Sequence, residues 1–436
     1  MLDKKSPPII TINSLSHDGR GIGYLSGKAT FVEGALKGEE LEIEYLKRKA
    51  SWDEAKIVNI LSPAPGRKKP ACDFFTICGG CSLQHMDNSS QIIHKESVLI
   101  EQLLHIGKVT PKEILPPVFA NEYGYRRKAR LGVRYVFKKE KLLIGFRERN
   151  GRYLADIEAC SVLHPSIGQN IPLLRDFILS LEAYLHIPQL EVAVGGDSTA
   201  IIIRHMEPFN VKDQETMQKF ATVNNFQIYL QPKGPESAYL FYPQNTHPRL
   251  RYLLEDYQLE MLFHPTDFTQ VNSEINKKLI QQAIALLKPN QDETLLDLFC
   301  GIGNFTLPCS RFYKKVVGVE GSQLMVERGY ENALHNAITN VEFHCRNLAE
   351  QNDSDSWMQN FDAILLDPPR IGAWEIIQKI PHSNTKKVLY ISCNPATLSR
   401  DAAHLCQNGF MLDSVGVLDM FPHTSHVESI ALFTRK

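Results

Sequence analysis

Leu295-Leu296-Asp297-Leu298-Phe299-Cys300-Gly301-Ile302-Gly303-Asn304-Phe305 runs from an apolar strand into two closely spaced glycines that open a helix. Glycines at such a junction let the backbone approach a ligand. Nineteen residues beyond Gly301, Glu320 closes the apolar strand Val316-Val317-Gly318-Val319, where a carboxylate can accept hydrogen bonds from ribose hydroxyls. Outward from this pair, helical and strand patterns alternate: Ile275 to Leu287, Thr294 to Phe299, Lys315 to Val319, Leu324 to Asn336, Ala363 to Leu366 and Val388 to Ser392. That alternation predicts a doubly wound, mainly parallel α/β sheet over residues 263–436. The strand Ala363–Leu366 brings Asp367-Pro368-Pro369-Arg370 to the same carboxyl edge, where open α/β sheets bind ligands. Read alone, those four residues also fit a capped turn after a strand; together with the glycine loop they belong to an active-site rim.

A lone Gly-x-Gly also occurs in dinucleotide oxidoreductases. Here the third glycine expected for a pyrophosphate is missing, and Thr306 stands in its place. The form Asp-Leu-Phe-Cys-Gly-x-Gly resembles instead the cofactor loop of class I (Rossmann-like) methyltransferases. S-adenosylmethionine carries no phosphate, so that loop needs no phosphate cradle.

The first part of the chain has a different character. Residues 1–160 hold 26 Lys and Arg against 19 Asp and Glu, whereas the remainder holds 22 against 30. From Ile9 to Leu61, short alternating segments separated by glycine turns predict a small OB-like β-barrel. The Pro-, Gly- and Lys-containing linker 62–70 ends it, which sets domains at 1–66, 67–262 and 263–436. In the middle domain a helix is expected from about Ser90 to Ile106, a candidate to pack on the last domain, and strands dominate from Tyr125 to Met261. Between Tyr125 and Arg152, eleven Lys or Arg face two Glu, interleaved with Tyr135, Phe137 and Phe146. Such a segment suits a polyanion, and by itself suits equally a solvated basic hairpin. Arg126, Arg127, Lys128, Arg130 and Arg134 are the candidate phosphate contacts.

No apolar run approaches the roughly 20 residues that span a bilayer, and Met1–Pro8 lacks a signal-peptide core, so a cytoplasmic location is expected. In that compartment the nine cysteines are not expected to pair as disulfides. Cys72, Cys78 and Cys81, with Cys160 later, give four soft ligands that suit either tetrahedral zinc or a 4Fe-4S cluster; spacing does not decide between them. Cys393 is different. It ends the strand Val388–Ser392 and precedes Asn394-Pro395-Ala396-Thr397-Leu398-Ser399-Arg400-Asp401, so its thiol can face the cofactor edge. An arbitrary free cysteine is more often an inert core residue. Near the C-terminus, Asp419-Met420-Phe421-Pro422-His423-Thr424-Ser425-His426-Val427-Glu428 supplies a carboxylate just before another apolar strand. His423 and His426 are further candidate bases or orienting groups.

Taken together, these two C-terminal motifs, Phe268-Thr269-Gln270-Val271-Asn272 and the glycine loop resemble the RNA 5-methyluridine methyltransferase family through essentially the whole chain. The resemblance implies that Cys393 is a nucleophile and Glu428 a base. It further implies that Gln270, Phe299, Asn304, Glu320, Asn347 and Asp367 contact S-adenosylmethionine, with Asn347 the least secure match. Carbon 5 of uracil is too poor a nucleophile to attack a sulfonium methyl, and thiolate addition at carbon 6 overcomes this by forming an enolate. A base must then remove the carbon 5 proton so that the cysteine can leave. Residues 9 to 61 are similar to a TRAM domain, an OB-like RNA-binding module. TRAM together with four cysteines resembles the iron-sulfur subfamily that methylates one uridine of 23S ribosomal RNA, which implies a 4Fe-4S cluster on Cys72, Cys78, Cys81 and Cys160. The expected partner is 23S rRNA, with its uridine flipped into a pocket between the central and catalytic domains, and with no obligate protein partner or membrane. The competing readings are a tRNA methyltransferase of the same family, a TRAM-containing radical enzyme, whose Cys-x3-Cys-x2-Cys pattern Cys72-x5-Cys78-x2-Cys81 does not match, and a non-catalytic iron-sulfur RNA-binding protein.

Overall fold

The computed structural model describes residues 6–149, 151–348, 350, 358 and 360–436. Five strands, Ile9–Leu15, Gly21–Leu25, Lys28–Glu33, Glu40–Arg48 and Trp52–Ser62, close into a barrel. Alternation places Ile10, Ile12, Val32, Leu41, Ile43 and Ala55 inside it. Closure brings strands so near at Gly23 that a Cβ there would lie 2.5 Å from the Thr11 carbonyl oxygen.

A six-stranded sheet follows, in the order Tyr239–Tyr242, Phe226–Gln231, Thr199–Arg204, Gln189–Val194, Lys128–Val136 and Lys141–Gly145. Ile201, Ile203, Leu190 and Val192 face helices Ile171–Leu179 and Val211–Asn224, while Ala193, Ala200, Ile202 and Tyr229 face the C-terminal half of the chain. Both helices depart from the strand-dominated expectation. Val211–Asn224 buries only Asp213, Met217 and Ala221, which leaves too thin an apolar stripe to register as a helical period.

The third layer is an eight-stranded sheet in the order Val341–Cys345, Lys315–Glu320, Thr294–Leu298, Ala363–Leu366, Lys387–Ser392, Glu428–Arg435, Phe410–Leu418 and Glu113–Ile114. The first five strands are parallel, and Glu428–Arg435 runs against them. The four inner parallel strands, buried on both faces, are mostly apolar, whereas the edge strand Val341–Cys345 buries only Phe343. The chain leaves Thr294–Leu298 toward one side and returns to pair on its other side with Ala363–Leu366, which makes the carboxyl end of Thr294–Leu298 the topological switch point.

Helix α1, Asn88–Gln102, begins where Asp87 accepts a hydrogen bond from the Ser90 amide and continues into one π turn, Leu103–Gly107. Its Val98, Leu99 and Leu103 share a core with Leu398, Ala402 and Leu405 of helix Pro395–Gln407. The two helices approach so closely that a Cβ on Gly107 would sit 2.6 Å from the Ser399 carbonyl oxygen. With strand Glu113–Ile114 beside it, this stretch of the front half belongs physically to the C-terminal sheet. Among the described residues, no helix is long and apolar enough to cross a membrane.

Candidate active site

The switch point positions the glycine loop. Phe299, Gly301 and Gly303 all have positive φ, 64°, 55° and 92°, and a side chain at position 301 would meet open space. Glu320 ends the neighbouring strand and grips the loop: its carboxylate accepts from the Gly301 amide and the Ser322 amide, each at 3.1 Å. Asn304 is held from outside the sheet, accepting from Tyr252 Oη at 3.0 Å and exchanging two hydrogen bonds of 2.9 Å with Asn276. Tyr252, Asn276, Thr269 and Gln270 line a cavity of about 30 Å³ completed by Ala193 and Val194 of the central sheet. Gln270 Nε2 reaches Asp367 Oδ2 at 3.5 Å. Asn347 lies two residues past strand Val341–Cys345, with its amide donating to Glu350 at 2.8 Å.

Thr306 also has a structural reason to replace glycine. Its hydroxyl donates to Asp297 Oδ2 at 2.6 Å, and Asp297 is fully buried in the middle of its strand. Burial pushes that carboxyl up to about 7. Sequence reasoning passed over Asp297, although a lone carboxylate inside an apolar run was a usable signal.

Cys393 and Glu428 meet at the same edge. Strands Lys387–Ser392 and Glu428–Arg435 pair antiparallel down to Ser392 with Ser429, so Cys393 and Glu428 follow as the next residues on either side. Cys393 is half-buried, Glu428 is 5% exposed, and Asp367 ends the adjacent strand Ala363–Leu366. Burial first, then the Glu428 and Asp367 carboxylates, push the Cys393 thiol up to about 11. Burial and Asp367 push Glu428 up to about 8, opposed by Arg370. Arg370 itself donates to His426 Nδ1 at 3.0 Å, and its carbonyl accepts from Asn394 Nδ2 at 2.9 Å. The grouping therefore combines a thiol, two reluctant carboxylates and one guanidinium beside a loop that can cradle a ligand. Such a set can perform nucleophilic addition and proton transfer.

Comparison with known proteins gives the same direction. A tRNA (Uracil-5-)-methyltransferase family matches residues 244–436, and the TRAM domain matches residues 9–49. A Hahella chejuensis protein named 23S rRNA (uracil(1939)-C(5))-methyltransferase RlmD is 48% identical over 97% of this chain and 96% of its own length. The protein of the same name from Francisella tularensis subsp. novicida is 50% identical over the same shares. The chain belongs to the RNA (uracil-5)-methyltransferase family. Its fold is also that of the Pyrococcus abyssi tRNA (uracil-54, C5)-methyltransferase solved with S-adenosyl-L-homocysteine, with a TM-score of 0.74, 23% identity, and 97% and 98% of the two chains covered.

In this (uracil-5)-methyltransferase chain, Cys72, Cys78, Cys81 and Cys160 all line one cavity of about 20 Å³, together with Phe74, Phe75 and Phe146. Among the described residues, no three His, Cys, Asp or Glu side chains stand in the arrangement of a formed metal site. Burial raises the pKa of all four thiols, Cys81 to about 12.

The basic segment divides in two. Arg127 donates to Gly195 O at 2.8 Å and Ser273 Oγ at 3.0 Å, Arg126 to Lys128 O at 3.1 Å, and Lys128 to Asp267 O. These three tie the central sheet together and to the catalytic half instead of pointing to solvent. Arg130 and Arg134 are exposed. Arg130 opens on a cleft that also holds Arg204 and Lys233, cations that the linear sequence does not bring near it.

Proposed function

We propose that this chain transfers a methyl group from S-adenosylmethionine to carbon 5 of a uridine in 23S ribosomal RNA, through a covalent bond between Cys393 and carbon 6. The observation that carries the chemistry is the strand register that brings Cys393 and Glu428 to one edge beside Asp367 and the glycine loop. The choice of 23S rRNA rests on relatives at about half identity that match nearly end to end. Gln270, Phe299, Asn304, Glu320, Asn347 and Asp367 are assigned to the cofactor, and the open, positive-φ loop with a carboxylate at Glu320 fits its ribose and chain. The cofactor supplies an electrophilic methyl on a sulfonium.

The residues of the chain then divide the work. Cys393 adds as its thiolate: an Sγ electron pair forms the bond to carbon 6, and the carbon 5–carbon 6 pair displaced onto the ring makes carbon 5 nucleophilic. Once carbon 5 carries the methyl, Glu428 accepts its proton, the carbon 5–carbon 6 double bond re-forms, and the carbon–sulfur bond breaks with its pair returning to Cys393. The target base leaves its stack to enter the cleft between the central and catalytic sheets. RNA contact is assigned to the barrel and to Arg130, Arg134, Arg204 and Lys233. The enzyme acts in the cytoplasm.

Cys72, Cys78, Cys81 and Cys160 are assigned to a 4Fe-4S cluster. Four thiols on one cavity fit it, as does the Gly80 amide, which donates to Cys78 Sγ at 3.4 Å. When bound, a cluster supplies the iron charge that lets four buried thiolates coexist. Anaerobically purified protein should carry about four irons and four sulfides per chain, and Cys81→Ser should lose them. Protein that folds with zinc or no metal at all refutes the assignment.

The function is tested by incubating 23S and tRNA transcripts with labelled cofactor. Label should enter 23S rRNA; Cys393→Ala should abolish transfer, and Glu428→Gln should hold methylated RNA covalently on the protein. Transfer to tRNA alone would overturn the substrate, and full activity of Cys393→Ala would overturn the mechanism.

A further inference from the structure

The loop that carries Glu428 to its place is built mostly by residues outside the methyltransferase sheet. Lys95 of helix α1 is fully buried and donates to Asp419 Oδ1 at 2.6 Å and to the Phe421 carbonyl at 3.0 Å. One turn earlier, Gln91 Oε1 accepts from the His423 amide at 2.7 Å, while its Nε2 lies 3.2 Å from His423 Nδ1. The same Nε2 donates to the Met86 carbonyl at 2.8 Å, which fixes the amide orientation. From the cysteine loop, the Ser82 and Leu83 amides both donate to the His423 carbonyl, at 2.8 and 2.9 Å. Ser82 Oγ accepts from the Ser425 amide at 3.0 Å, and Tyr125 Oη donates to the Pro422 carbonyl at 3.1 Å.

His423 is the hub of these contacts. Its ring is completely buried, lies 4.5 Å from the Tyr123 ring, and has Nε2 3.3 Å from Glu122 Oε2. Its φ of 66° lies in the left-handed region, uncommon for a residue with a side chain. The contacts from α1 and from the loop after Cys81 hold it there. On the other side, Arg370 holds His426, so the segment is gripped from both flanks just before strand Glu428–Arg435 starts.

We propose that Ser82 and Gln91 are positioning residues for the last step of the reaction: they clamp His423 and Ser425 so that Glu428 is aimed at the carbon 5 proton. The proposal rests on the reading of Glu428 as the base. The side-chain hydrogen bonds of Ser82 and Gln91 reach His423, Ser425 and Met86 and not Cys393, so the clamp governs the collapse of the adduct more than its formation. In that collapse the carbon 5–hydrogen pair becomes the carbon 5–carbon 6 double bond, the proton passes to Glu428, and the carbon 6–sulfur pair leaves on Cys393.

The test uses the full-length protein, a 23S rRNA fragment and cofactor labelled on the methyl. Single-turnover transfer and the decay of denaturation-stable protein–RNA adduct are followed together for the wild type, Glu428→Gln, Ser82→Ala, Gln91→Ala and Gln91→Glu. Ser82→Ala and Gln91→Ala should transfer methyl within about twofold of the wild-type rate, yet resolve the adduct tenfold or more slowly. Gln91→Glu keeps the acceptor for the His423 amide and should recover part of that loss. Parallel loss of both steps, or adduct decay at the wild-type rate, overturns the clamp. Should Gln91→Ala not fold, Ser82→Ala, which deletes one accepted hydrogen bond, decides alone. Failure of Glu428→Gln to trap adduct removes the base assignment and the clamp with it, whereas trapping by Glu428→Gln with normal decay in both clamp variants removes the clamp only.

Discussion

Glu428 and Cys393 make opposite demands on one another. A thiolate at Cys393 is opposed by the nearby Glu428 and Asp367 carboxylates, while burial raises Glu428 to about 8, a basicity that suits a carboxylate taking up the carbon 5 proton. The same raised value has a consequence for stability. A carboxyl whose folded pKa lies above its unfolded value of 4.5 favours the fold fully below that value, and the contribution is lost as pH rises through about 8. Thermal melts of the cofactor-free protein between pH 5 and 9 should therefore show wild type losing more stability with rising pH than Glu428→Gln. Parallel curves would contradict the buried, raised carboxyl. The strand-end placement of Cys393, Asp367 and Glu428 was legible because an apolar run fixes where a strand stops. Arg370's contact with His426 was not legible, because it depends on which layers close over the edge.

Among the elements, helix α1 has the largest dependence on one buried pair. Lys95 and Asp419 are 0% and 1% exposed, and burial pulls the lysine below its ordinary pKa although Asp419 resists. Removing one partner strands a buried charge, at a cost of about 3–5 kcal/mol. Lys95→Met should lower the denaturation midpoint accordingly, and Lys95→Met with Asp419→Leu should recover much of it; equal loss in both variants would show that the pair itself contributes. Four parallel strands of the catalytic sheet were legible to within a residue, since Thr294–Leu298, Lys315–Glu320, Ala363–Leu366 and Lys387–Ser392 are short, mainly apolar runs. Val341–Cys345 was passed over, because its alternation Val-Glu-Phe-His-Cys spans only five residues and, at the sheet edge, buries only Phe343. Glu113–Ile114 is two residues long, too short for any pattern, and joins the sheet only because α1 brings it there.

Over the whole molecule, the fold gathers Arg130, Arg204 and Lys233 from distant segments into one cleft. Arg204 and Lys233 are exposed and have no acidic partner among the described residues, whereas Arg130 is held 2.9 Å from Glu191. If RNA follows this cleft, Arg204→Ala with Lys233→Ala should reduce the salt slope of RNA binding by about 1.4, at roughly 0.7 per single-strand phosphate. An unchanged slope would place the RNA elsewhere. The barrel, cysteine loop, central sheet and catalytic sheet were each visible as composition, but their interlocking was not, since contacts between distant segments leave no local periodicity. That interlocking also has a dimension in time. Lys95 and Asp419 are separated by 324 positions. On a ribosome adding 5–20 residues each second, α1 emerges on the order of 15–65 s before its partner. Through that interval its apolar face and buried-to-be ammonium have nothing to pack on, so the nascent chain should be most prone to chaperone capture and aggregation between synthesis of α1 and synthesis of the last strand.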